Sequence, residues 1–125
     1  MRALRIMVVD DSGLTVKKMA KLLEELGHEV AGTATTGREA VDAYAAVAPD
    51  MVTMDITMPD MDGIEATRLI MAADPAARIV IVTSHGQEQM VMDAIEAGAK
   101  GYVLKPVKKE KLAETLETLA AKYLP

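Results

Sequence analysis

The stretch Met51-Val52-Thr53-Met54-Asp55-Ile56-Thr57-Met58-Pro59-Asp60-Met61-Asp62-Gly63 decides how the rest of the chain reads. Its first four residues make a short apolar run of the length of a buried strand. Pro59 and Gly63 are turn residues, and Asp62 with Glu65 has the N-cap-to-N3 spacing of a helix start. A strand, a tight joint and a helix follow from this. The joint leaves only Asp55 unexplained, because an acid directly after a buried run needs a partner.

The same unit recurs on either side. Leu4–Val9, Val30–Ala34, Ile79–Val82 and Tyr102–Leu104 are further apolar runs that read as buried strands. Between them apolar residues take helical period. Met19, Leu22, Leu23 and Leu26 precede Gly27, which is expected to stop that helix. Met90, Val91, Ala94 and Ile95 precede Gly98, and Leu112, Leu116, Leu119 and Tyr123 line the last helix. Thr36/Glu39 and Ser84/Gln87 repeat the capping-box spacing, and Asp10-Asp11 would turn the chain and cap a helix from Gly13. Strands alternating with helices through short loops predict an α/β fold, a parallel sheet covered on both faces.

Composition narrows the function classes. At 125 residues the chain matches one domain, with half its residues hydrophobic and no repeat, linker or low-complexity tract. With three Tyr and no Phe or Trp, the core must be filled by aliphatic side chains and ten Met. The absence of Cys removes disulfide and thiol chemistry. No segment reaches the roughly 20 apolar residues of a membrane span, and the N-terminus does not read as a signal peptide. A net charge of −5 argues against direct nucleic-acid binding. A cytoplasmic location is expected.

Strand C-termini share one edge of a parallel sheet, where the ligand crevice lies. That edge would gather Asp10, Asp11, Asp55, Thr83 and Lys105. Three carboxylates in close contact repel unless a cation intervenes, and a hard divalent ion such as Mg²⁺ suits carboxylates, water and phosphate. A carboxylate at Asp55 could attack phosphorus and form an acyl phosphate. Thr83 at a strand end is most often structural, yet its hydroxyl could donate to a phosphoryl oxygen. Lys105 is a compact point charge able to reach phosphate, aimed by Pro106 through a peptide bond that is either trans or cis.

Asp10-Asp11, Asp55 within Asp55–Gly63, Thr83-Ser84, and Gly101-Tyr102 followed by Lys105-Pro106 resemble the receiver domain of two-component response regulators. The likeness covers essentially the whole chain and is nearest the stand-alone chemotaxis regulators. It implies a flavodoxin-like, doubly wound (βα)5 fold with five parallel strands in the order 2-1-3-4-5, an order taken from the family and not from spacing. It implies that Asp55 is the phosphoacceptor, charged by a histidine kinase. Asp10, Asp11, Asp55 and the backbone carbonyl of Thr57 would hold Mg²⁺, or Mn²⁺ in its place. Lys105 would pair with the phosphoryl group, and Thr83 would move in while Tyr102, the switch aromatic, turns inward. Thr57 and His85 would flank the hydrolytic water and set phosphoryl lifetime, whereas His28 reads as a surface residue. The face of the fourth helix, fifth strand and fifth helix, bordered by Lys100, Lys105, Lys108, Lys109 and Lys111, would dock a downstream protein such as a flagellar motor switch. Residues 1–125 would then be a single monomeric receiver domain without an output domain, acting through protein contacts and not as an enzyme.

Two other classes fit less well. Asp-Asp-Ser-Gly-Leu-Thr at residues 10–15 has some likeness to the haloacid-dehalogenase-type phosphatases. Those need acids two apart, and Ser12 stands where the second should be. A flavodoxin-like cofactor binder would need a Gly- or hydroxyl-rich loop after the first strand, and this loop is acidic. A phosphorelay intermediate or another kinase-linked regulator remains the alternative within the receiver class.

Overall fold

A computed structural model describes residues 2–125. The elements run β1 (Arg5–Val9), α1 (Gly13–Glu25), β2 (Glu29–Ala34), α2 (Gly37–Val47), β3 (Met51–Met54), α3 (Gly63–Ala73), β4 (Ile79–Thr83), α4 (Glu88–Ala97), β5 (Gly101–Leu104) and α5 (Lys109–Tyr123). The strands form one parallel sheet in the order β2-β1-β3-β4-β5. This is the expected α/β arrangement, with strand limits within a residue or so of the apolar runs.

The period of two along each strand divides the core into two layers. Met7, Val9, Val52, Met54, Ile79 and Ile81 pack with Ala40, Ile64, Ile70 and Ala94 from α2, α3 and α4. On the opposite face, Ile6, Val8, Met51, Val80 and Val82 pack with Met19 and Leu23 of α1 and Leu112, Leu116 and Leu119 of α5. Every residue of β3 and β4 is buried, as expected of central strands covered on both sides. The aliphatic and Met side chains fill this interior, and Tyr44 and Tyr102 only border it.

The helix starts agree with the sequence at two of four places. Thr36 Oγ1 accepts from the Glu39 N–H at 3.0 Å, and Asp62 Oδ1 accepts from the Glu65 N–H at 2.8 Å. The helix from Gly13 is capped by Ser12, whose hydroxyl accepts from the Thr15 N–H at 3.2 Å, and not by the Asp pair. Asp10 is turned the other way, its carboxylate taken by the Ser12 N–H and by Lys105. The Ser84/Gln87 box does not form: α4 starts at Glu88, and Gln87 makes no side-chain cap. The His85 backbone is bonded instead, its N–H to the Thr83 hydroxyl two residues back and its carbonyl to the Tyr102 hydroxyl on β5.

His28 is also not a surface residue. It is buried at the start of β2, and its Nδ1 accepts from the Leu4 N–H at 3.0 Å. The imidazole thus supplies the acceptor that a ladder carbonyl would supply elsewhere.

Candidate phosphoryl-transfer site

The hydrogen-bonding of the sheet continues one residue past three strands. The Asp10 N–H donates to the Ala34 carbonyl at 3.1 Å, Asp55 to Val9 at 2.9 Å and Lys105 to Thr83 at 2.8 Å. Each of these side chains therefore leaves a backbone that is still part of the ladder. The result is a fixed cluster at the C-terminal edge of the sheet.

Asp10 and Asp55 are buried, and Asp11 is exposed. Ligand oxygens of all three lie within 4.8 Å of one another. The Lys105 ammonium sits 2.8 Å from Asp10 Oδ2 and 3.3 Å from Asp55 Oδ1. Burial raises the Asp55 carboxyl above its ordinary value, Asp10 adds to the rise, and Lys105 offsets only part of it. Burial pulls Lys105 down, but its bond to Asp10 and the charges of Asp55 and Asp10 carry it above its ordinary value. One ammonium among three carboxylates leaves an excess of negative charge in a partly desolvated place. Such a set fits a hard divalent cation with oxygen ligands. The cluster can bind a metal.

The loop after Asp55 is held by close backbone approach. A Cβ at Gly63 would stand 1.9 Å from the Asp55 carbonyl oxygen, and one at Gly37 would stand 2.4 Å from that of Met61. Between these contacts the Gly63 N–H donates to the Ile56 carbonyl at 2.8 Å, and Asp60 takes a left-handed φ of 67°. Gly63 reads in the sequence as a turn residue, which is correct but incomplete. Its larger role, seating α3 against the Asp55 carbonyl, depends on a contact that spacing does not reveal.

The remaining predicted residues meet around His85. Thr83 is buried, and its Oγ1 accepts from the His85 N–H at 3.2 Å. Tyr102, partly buried and with its phenol pushed up by that burial, donates to the His85 carbonyl. His85 Nε2 lies 3.4 Å from the Oγ1 of the exposed Thr57. The Lys105-Pro106 peptide is cis.

Two surfaces flank the cluster. On the α4–β5–α5 side, Ile95, Leu104 and Met92 are 56%, 52% and 47% exposed, a concentration of apolar surface for so small a protein. A cleft of about 480 Å³ there is lined by Tyr102, Leu104, Lys105, Pro106, Lys108 and Lys111. On the other side, a groove of about 560 Å³ runs between α1 and the Lys105–Val107 turn, with Met19, Leu22 and Val107 in its walls. Sequence reasoning missed that groove. Its trace was Val107, an apolar residue just past the turn.

The receiver model for response regulators matches residues 6–117. The chain belongs to the response regulator receiver family. A chemotaxis protein CheY of Thermotoga maritima is 44% identical over 116 residues, covering 93% of this chain and 97% of that one. A CheY of Listeria monocytogenes is 42% identical over 117 residues, covering 94% and 98%. Among solved structures, a CheX–CheY complex with beryllofluoride and magnesium from Borrelia burgdorferi superposes with a TM-score of 0.89 at 37% identity. That match covers 92% of this chain and 87% of the other. The chain is a response regulator of the two-component type, and the fold, strand order and family expected from its motifs are all found.

Proposed function

We propose that this receiver takes a phosphoryl group from a histidine kinase onto Asp55 and passes the signal on by changing which protein it binds. The observation that carries the reading is the Asp55 carboxylate, buried at the sheet edge and 3.3 Å from the Lys105 ammonium. An Asp55 oxygen attacks phosphorus as the P–N bond of a phosphohistidine breaks. The departing imidazole takes up a proton, and the product is an acyl phosphate. Asp10, Asp11, Asp55 and the Thr57 carbonyl would hold Mg²⁺, or Mn²⁺, which supplies neutralising charge for the phosphoryl oxygens. Lys105, already placed against Asp55, offers its ammonium to a phosphoryl oxygen. Thr83 turns its hydroxyl from the His85 N–H toward another. Positioning and electrostatics do most of this work, because phosphoryl transfer asks for little covalent chemistry from the protein.

The adduct puts about 1.5 to 2 negative charges on phosphoryl oxygens in place of the single charge of the carboxylate, at an already acidic edge. Rotation of Thr83 removes the acceptor of the His85 N–H, so the loop that also holds Tyr102 is biased toward a second state. The exposed apolar and lysine-bordered α4–β5–α5 face is then where a downstream protein would dock. Names among the relatives favour chemotaxis; in that pathway we take a flagellar motor component to be the docked protein. We take the protein to be monomeric and cytoplasmic, and to turn over no substrate other than its own phosphoryl group. No helix among the described residues is long and apolar enough to cross a membrane.

Intact-mass measurement after incubation with Mg²⁺ and acetyl phosphate tests the reading. Wild type should gain one labile phosphoryl group, and Asp55→Asn none. An adduct on both, or on neither with no beryllofluoride complex either, would overturn it.

A further inference from the structure

The groove between α1 and the Lys105–Val107 turn opens beside the phosphoryl site. Lys105 lines it and also holds its ammonium 3.3 Å from Asp55 Oδ1. Thr15, Lys18, Met19, Leu22 and Glu25 recur at helical spacing, so one face of α1 makes a wall about 15 Å long. Pro106 and Val107 make the other side. The end nearer Asp10 and Asp11 is polar, because Thr15 and Lys18 stand early in α1, which starts at Gly13. Farther along, the half-buried Leu22 and Val107 offer apolar surface. Lys18 and Lys21 are exposed and make no ion pair among the described residues. Glu25, the acid in the wall, is already met by Lys109 at 3.6 Å. In a chain of net charge −5, this groove is therefore positive at its rim and apolar within.

We infer that this groove takes the chain of an aliphatic acyl phosphate, so that longer acyl phosphates charge Asp55 faster than acetyl phosphate does. The inference rests on the receiver reading above and names a class of small donor for the same site. One Asp55 oxygen bonds phosphorus as the bond from phosphorus to the acyl oxygen breaks. The electron pair of the broken bond leaves with the acyl group as a carboxylate, and no proton moves. The free ammonium of Lys18, at the near end of the groove, favours the charge that grows on this leaving group. The chain beyond it leaves water for the surface of Met19, Leu22 and Val107. A fully buried methylene contributes about fourfold, and in an open groove about twofold. Acetyl phosphate ends in one methyl group and gains nothing from the wall beyond Lys18.

The test compares acetyl, butanoyl and hexanoyl phosphate as donors in the presence of Mg²⁺. The second-order rate of adduct formation is read by intact mass, with Asp55→Asn as the blank. On wild type the rate should climb with chain length, hexanoyl phosphate running about tenfold ahead of acetyl phosphate. Leu22→Ser and Val107→Ser, on opposite sides of the groove, should each pull that ratio down about threefold. Lys18→Gln should slow all three donors together by a few fold and leave the ratio alone. Because each variant is judged by a ratio of two donors on the same protein, a loss of folded material cancels. Equal rates for the three donors on wild type would overturn the inference and leave the receiver reading intact. A chain-length advantage that survives in both serine variants would place the chain elsewhere and overturn it too. No adduct from any donor would also overturn it, and would take the receiver reading with it where beryllofluoride fails to bind.

Discussion

At the N-terminal edge of the sheet, charged groups are balanced by neighbours. Arg5 donates from Nη1 to the carbonyls of Val47 and Ala48 at 3.0 and 2.7 Å, closing the end of α2. Arg78 donates to the Asp50 carbonyl at 2.9 Å, and Asp50 Oδ2 accepts from the Arg5 N–H at 2.8 Å. Tyr44 donates to Asp74 at 2.8 Å, its phenol pushed up to about 12 by burial and by that carboxylate. At the C-terminal edge, three acids cluster with one lysine, which pairs with Asp10 and Asp55 only, and burial has raised the Asp55 pKa. Polar groups at the first edge satisfy the backbone and hold the fold. Those at the second are left short of positive charge, which a bound cation can supply.

The contrast can be broken at several points. Gly63→Ala should have the largest effect, about 3 kcal/mol of lost stability in urea denaturation, because the new Cβ collides with the Asp55 carbonyl rather than with a yielding side chain. Wild-type stability there would mean that α3 can slide. His28→Ala at the opposite edge should cost about 2 kcal/mol by leaving the buried Leu4 N–H unpaired. Burial lowers the His28 pKa, with Glu117 acting in the other direction. The unfolded chain therefore takes up a proton that the fold resists. Stability from His28 should be whole above about pH 6.5 and fall as the pH drops below it. A urea midpoint that declines no faster in wild type than in His28→Gln between pH 7 and 5 would contradict this.

Arg5→Ala should cost about 1 kcal/mol, the worth of its carbonyl bonds at a partly exposed site. Asp55→Asn should move stability the other way, by about 1 kcal/mol upward in the presence of chelator. The sign follows from linkage: a carboxyl whose folded pKa is raised stabilises at low pH, and that contribution is lost as pH rises through the folded value. Asparagine removes the buried charge and the repulsion from Asp10. A lower midpoint for Asp55→Asn would show that the Lys105–Asp55 pair outweighs both.

Much of the second edge was legible because chemistry and secondary structure share a period there. Each apolar run ends where the sheet ends, so Asp10, Asp55, Thr83 and Lys105 announce themselves as strand-terminal residues. The reading failed where a local pattern competed with a distant partner. Ser84/Gln87 has good capping spacing, yet the distant Tyr102 donates to the His85 carbonyl, and the His85 N–H turns back to Thr83. Asp10 is well placed to cap α1, but Lys105, far along the chain, binds its carboxylate. His28 lacks any periodic signal for burial, because its partner is the backbone of Leu4 on a neighbouring segment. The meeting of Thr57 with His85 likewise needed the loops themselves.

The continuation of the sheet bonds through Asp10, Asp55 and Lys105 has a consequence for timing. Amides of this kind exchange with solvent only when the core strands open, so the carboxylate edge and the whole fold share one clock. The amides of the exposed Ser84, Gly86 and Gln87, outside that ladder, are expected to exchange sooner. A molecule caught partly unfolded has no assembled carboxylate cluster, whereas a folded one keeps Asp10, Asp55 and Lys105 together for as long as its sheet stays closed.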